Sequence, residues 1–136
     1  MKPTLTAGVS GTREFLVDRE RTIDFMGEDA RVYATPMLVR DIEVTCREML
    51  LAHLDAGEDS VGTRVEIDHL AASLMGMKVA ISATIAEVKG RAVTFDVTAT
   101  DGLDQICRGR HMRFVANVDQ VKQRLKQKQA KAAAGR

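Results

Sequence analysis

The chain has 136 residues, of which 45% are hydrophobic and 29% charged, with a formal net charge of +1. That length suits one domain of roughly 100–150 residues, and the near-neutral balance gives no global field calling for nucleic acid or a membrane surface. No stretch approaches the ~20 apolar residues of a membrane span, and the first residues lack the roughly 7–15 apolar residues of a signal-peptide core, so a cytoplasmic location is expected.

Residues 1–12 are rich in Gly, Thr and Ser and read as a flexible N-terminus. Residues 14–24 are expected to hold a strand with Phe15 and Val17 on one face, followed by a loop or short helical turn over 25–34. Pro36 then opens a long helix, with Thr35 expected as its N-cap. Leu38, Ile42, Cys46, Met49 and His53 trace one helical stripe, widened by Val39 and Leu50, with Val44 and Leu51 on another side. A helix apolar on more than one side tends to be enclosed. The helix is expected to end near Asp55-Ala56-Gly57.

From there the period changes to two. Ser60–Ala72 reads as a long mixed strand. Val79, Ile81, Ala83 and Ile85 alternate with small and polar residues, and so do Val93, Phe95, Val97 and Ala99, as half-buried antiparallel strands require. Lys89-Gly90 and Asp101-Gly102 mark turns, and a last strand spans about 106–116. One enclosed helix followed by a meander of long strands is expected to give an α+β fold with the sheet wrapped around the helix. The domain is expected over 13–117. Residues 118–136 form a basic polar helix or tail with a short stripe of Val118, Val121 and Leu125. Its scarcity of aromatics argues against base stacking.

Three polar residues beside apolar runs could carry chemistry: Thr35, Glu43 and His69. A hydroxyl, a carboxylate and an imidazole together can activate water and handle a proton. Each also has a plain structural reading. Thr35 could cap the helix, Glu43 could pair with Arg40 or Arg47 on its surface, and His69 could be a strand histidine with no catalytic task. Cys46 and Cys107, the two cysteines, form no CxxC pair and read as buried reduced thiols. No His, Cys and Asp spacing suggests a metal, and GxSxG, P-loop and GxGxxG motifs are missing from the sequence.

The local frames of Thr35, Glu43 and His69 carry a resemblance. Tyr33-Ala34-Thr35 opens the helix, Glu43 follows eight residues later with Cys46 beyond it, and Gly62-Thr63 precedes His69, which Ala71-Ala72 follow. With Asp101-Gly102-Leu103-Asp104 and Gly109-Arg110-His111-Met112-Arg113, this pattern over residues 33–115 resembles the fluoroacetyl-CoA thioesterase group of hotdog-fold proteins. The resemblance implies an acyl-CoA thioesterase acting on a short or small acyl group without a cofactor. It also implies a homodimer with each site at the subunit interface. By position, Thr35 would hold the carbonyl or join the attack, and His69 would be general base and acid. Glu43 would orient or polarise a neighbour, or attack the carbonyl itself. The Gly62 N–H would serve an oxyanion hole, the missing Cβ permitting close approach, and Arg113 would be a CoA-contact or gating group. His53 is expected to be structural, and His111 is assigned no catalytic role. The chain departs from the fluoroacetyl-specific members in one respect. Only Met26–Val32 fills the space of their longer Phe- and Pro-containing lid, so a different or broader acyl group is expected. A non-catalytic hotdog module holding acyl-CoA or a small hydrophobic ligand is the alternative. An enoyl-CoA hydratase on the same fold is less favoured, because its Asp–His motif is not found.

Overall fold

The computed structural model describes residues 1–135. Strand β1 (Ser10–Leu16) leads into helix α1 (Thr35–Leu51) through two short 3-10 turns. Strands β2 (Glu58–His69), β3 (Lys78–Lys89), β4 (Ala92–Thr100) and β5 (Gln105–Asn117) follow, and helix α2 (Val118–Ala134) ends the fold. The strands form one antiparallel sheet in the order β1-β3-β4-β5-β2, leaving β1 and β2 at its edges. Helix α1 packs on one face, which is the hotdog arrangement expected.

The core lies where the two periods meet. From α1, Leu38, Ile42, Cys46 and Leu50 are fully buried. From the sheet come Val79, Ile81, Ala83 and Ile85 of β3 and Val93, Phe95, Val97 and Ala99 of β4. These are the alternating residues read from the sequence. Each large aliphatic buried there contributes about 1.5–3 kcal/mol. Burial also pushes the Cys46 thiol up to about 12 and the Cys107 thiol up to about 11, so both stay protonated and pack as small apolar groups.

Several boundaries differ from expectation. Strand β1 starts at Ser10, inside the stretch expected to be loose. Residues 1–9 are tied down as well: Lys2 N donates to the His53 carbonyl at 2.8 Å, Gly8 N donates to Ile85 at 2.8 Å, and Leu5 is buried. Val17 is buried but lies past the strand, its N–H donating to Met77. Helix α1 stops at Leu51, and Gly57, at φ 83°, makes the turn into β2 instead. His53 therefore lies beyond the helix, its Nδ1 2.7 Å from Thr4 Oγ1. Strand β2 ends at His69 rather than Ala72. Helix α2 carries Val118, Val121 and Leu125 as read, but buries no residue.

Candidate functional site

Thr35 does not cap α1. Ala34 is the N-cap, with no side-chain cap bond, and Thr35 and Pro36 are the first helical residues. Proline at that position removes one of the donors a cap would satisfy. The Thr35 hydroxyl is thus free to turn away from the helix, and it meets His69, with Oγ1 2.8 Å from Nδ1. That hydrogen bond can run in either direction, because a neutral imidazole donates from one nitrogen and accepts at the other. His69 Nε2 is buried and has no hydrogen-bond partner among the described residues. Burial lowers the His69 pKa, which favours the neutral form of the ring.

The pair lies at a cavity of about 420 Å³ lined by Ile23, Phe25, Val32, Tyr33, Leu70 and Ala72. Apart from Thr35 and His69 these groups are apolar, apart also from the Tyr33 hydroxyl. That hydroxyl donates to buried Asp41. Phe25, which directly precedes Met26–Val32, is 77% exposed.

Glu43 lies elsewhere. It is eight residues along α1 from Thr35, about 12 Å by helical rise. It lines a second cavity of about 320 Å³ with Arg40, Arg47, Ser60, Gly62 and Arg113. Among the described residues Glu43 forms no surface ion pair: Arg47 instead forks onto Asp59 at 3.0 and 2.7 Å. A Cβ built on Gly62 would collide with Glu43 Oε1 and stand 3.2 Å from His111 Cε1. The missing side chain at Gly62 therefore makes room for the Glu43 carboxylate, a reason for glycine different from the close approach of a substrate oxygen.

Arg113, at 5% exposure, is no surface arginine. Its Nε donates to Ser60 Oγ at 2.7 Å, Nη2 donates to the Ser60 carbonyl at 2.9 Å, and Nη1 lies 3.1 Å from His111 Nε2. His111 is fully buried, with Nδ1 2.8 Å from the Arg64 carbonyl. A guanidinium only donates, so Nε2 accepts and Nδ1 carries the proton toward Arg64. Burial lowers the pKa of both His111 and Arg113, and the Glu43 charge opposes it for each.

A break in strand register brings these groups to one face. Gly62 and His69 are seven residues apart, an odd step that sends side chains to opposite faces of a regular strand. Gly62 pairs with Arg113 and Arg64 with Met112, and the register shifts between Gly62 and Arg64. The extra residue, Thr63, changes the phase. Ser60 and Gly62 before the bulge, and Val65, Ile67 and His69 after it, then face α1. Sequence periodicity over Ser60–Ala72 did not reveal this. Nor did it single out Asp41 and Arg21. Their signal was available in outline: Asp41 falls on the buried stripe between Leu38 and Ile42, and a carboxylate there requires a buried partner.

Comparison with known proteins agrees with this architecture. The family model described as fluoroacetyl-CoA-specific thioesterase matches residues 17–119. The fluoroacetyl-CoA thioesterase of Streptantibioticus cattleyicolor is 30% identical over 135 residues, covering 94% of this chain and 97% of that protein. A solved structure of the fluoroacetyl-CoA thioesterase superposes with a TM-score of 0.84 at 30% identity, covering 91% of this chain and 97% of that one. A Thermus thermophilus protein described as a thioesterase superfamily member gives a TM-score of 0.90 at 30% identity, covering 98% and 99%. A hot-dog-like protein of Thermanaerovibrio acidaminovorans, 23% identical, shares the fold with a TM-score of 0.83, covering 93% of each chain. With most of its length matched by the family model and by a curated relative, the chain belongs to the fluoroacetyl-CoA-specific thioesterase family.

Proposed function

We propose that the protein hydrolyses a short acyl-CoA thioester, with Thr35, Glu43 and His69 as the catalytic set. The observation that carries this reading is the 2.8 Å contact between Thr35 Oγ1 and His69 Nδ1 at the edge of an apolar cavity. The neutral His69 takes a proton from the attacking water as the new C–O bond forms, then returns it to the departing CoA sulfur as the C–S bond breaks. The products are the free acid and CoA. Thr35 holds the carbonyl, Glu43 orients the water, and the Gly62 N–H donates to the developing oxyanion. Arg113, held by Ser60 and His111, fixes the wall beside Glu43 and contacts CoA.

Within one chain Glu43 and the Thr35–His69 pair line different cavities, and this supports a site shared between two copies. Strand β2 is an edge, with Val61, Arg64 and Glu66 exposed. Antiparallel pairing of two β2 strands centred near Val65 and Glu66 would bring Gly62 and Glu43 of one copy close to His69 of the other. The exposure of Phe25, in place of a lid closed over Thr35, favours a small acyl group without discrimination for fluorine.

A thiol-release screen over a panel of acyl-CoAs tests the reading. The wild type is expected to release CoA from short acyl thioesters, and His69→Ala to lower kcat by roughly 100-fold or more, in the range of lost general-acid–base catalysis. Tight acyl-CoA binding without thiol release, or full activity of His69→Ala on every accepted substrate, would overturn it.

A further inference from the structure

Behind His69 lies a buried polar chain that the catalytic set does not use. Asp41, on α1, is 1% exposed. Its Oδ2 accepts from Arg21 Nε at 2.8 Å and from the Tyr33 hydroxyl at 2.5 Å, and its Oδ1 accepts from Arg21 Nη2 at 3.2 Å. The Tyr33 ring, 2% exposed, meets the His69 imidazole edge to face, with centroids 6.4 Å apart and planes at 82°. Its backbone is pinned too: Tyr33 N donates to the Ser73 carbonyl at 2.8 Å, and the next N–H, of Ala34, donates to the Arg21 carbonyl at 2.8 Å.

His69 needs such a support. Only Nδ1 is bonded, to a hydroxyl that can rotate, while Nε2 has no partner among the described residues. One bond to a rotatable group fixes neither the ring's plane nor its tautomer. The other groups near the ring are poor anchors. Cys107, directly opposite His69 on β5 and fully buried, offers only a weakly hydrogen-bonding thiol. Neighbouring Asp68 is exposed and engaged with Arg108 at 3.4 Å. No charged group contributes to the lowering of the His69 pKa, which is due to burial. The rigid surface against the imidazole is therefore the Tyr33 ring, and what makes it rigid is the Arg21-clamped Asp41 carboxylate at its far end.

We propose that Tyr33 and Asp41, clamped by Arg21, are positioning residues that hold the His69 imidazole in a single orientation and tautomer against Thr35. This rests on the reading of His69 as general base, yet it can be tested apart from it. Side-chain ¹⁵N spectra of His69, recorded across pH on the full chain, report tautomer and titration directly. The wild type is expected to show one tautomer and a titration below that of an exposed histidine. Tyr33→Leu, which removes the ring, is expected to give mixed tautomers and a midpoint shifted upward. Tyr33→Phe keeps the ring and its volume, and Asp41→Asn keeps the shape of the clamp. Both are expected to give a smaller change in the same direction. In the thiol-release assay each should lower kcat, by about three- to tenfold for Tyr33→Phe and Asp41→Asn, with KM within twofold and the acid limb of the profile moved. Unchanged His69 spectra in folded Tyr33→Phe and Asp41→Asn overturn the proposal, whatever Tyr33→Leu does. So does a loss of activity equal at every pH with His69 unmoved, which marks a merely structural role. Altered spectra in a protein that hydrolyses no acyl-CoA would leave the positioning standing and remove the catalytic reading instead.

Discussion

Gly62→Ala separates the two tasks that a glycine beside a carboxylate can have. Gly62 has no positive φ, so alanine is allowed by the backbone. The new Cβ would collide with Glu43 Oε1 and approach His111 Cε1 to 3.2 Å. The imidazole is held at both nitrogens and yields little, whereas the carboxylate is the end of a flexible side chain and swings aside. Forcing Glu43 from its rotamer costs about 0.5–1.5 kcal/mol. The lost freedom of the unfolded chain at a Gly→Ala site returns about 0.4–1 kcal/mol. Stability should therefore change by about 1 kcal/mol or less, a shift of a few degrees in Tm. With Glu43 in the proposed catalytic role, activity should respond far more, because a displacement of about 1 Å can cost on the order of 100-fold. A cycle with Glu43→Ala, read by thiol release and by thermal melts, makes the argument quantitative. Once the carboxylate is gone there is nothing for the Cβ to displace, so Gly62→Ala should add little in that background. The coupling should then approach the full effect of the single variant, about 2.7 kcal/mol for a 100-fold loss. Wild-type kcat in Gly62→Ala, or losses that simply multiply in the double variant, would refute the claim that this glycine exists to admit Glu43.

Two further outcomes follow from burial. His69 and His111 both have lowered pKa values, so the unfolded chain binds protons before the folded one as pH falls below about 6.5. Stability is accordingly complete above that pH and declines as pH drops toward the folded values, and kcat/KM falls in the same direction as His69 is protonated; melts and thiol-release rates between about pH 5 and 7.5 check both. Arg113→Ala strips the partners from buried Ser60 Oγ and His111 Nε2. The expected loss is about 2–5 kcal/mol of unfolding free energy by chemical denaturation, against near-neutrality for a surface arginine.

The strands β3 and β4 were legible because their alternation is regular and only one of their faces is buried, so period two survives in the letters. The body of α1 was legible for the same reason, through Leu38, Ile42 and Cys46. The local frames around Thr35, Glu43 and His69 were legible as ordered motifs. What periodicity could not supply was how tertiary contacts redirect a side chain. A Thr before a Pro satisfies the local rule for a cap, and only the position of His69 withdraws it. Glu43 between two arginines satisfies the local rule for a surface pair, and only the gap at Gly62 offers its carboxylate another place. Asp41 reads as one charge among many until Arg21 and Tyr33, from segments with weak periodicity, arrive at its oxygens.

The bulge at Gly62, Thr63 and Arg64 gives β2 something like a reading frame. Thr63 is exposed, and its hydroxyl only donates to the Met112 carbonyl at 3.2 Å, so its side chain matters little to the packing. Its exclusion from the ladder matters more. Were Thr63 drawn into regular pairing, Gly62 and His69 would stand seven regular steps apart and one of them would turn to the opposite face of the sheet. The phase of this strand is thus carried by the backbone of one bulge, and not by the side chain that sits in it.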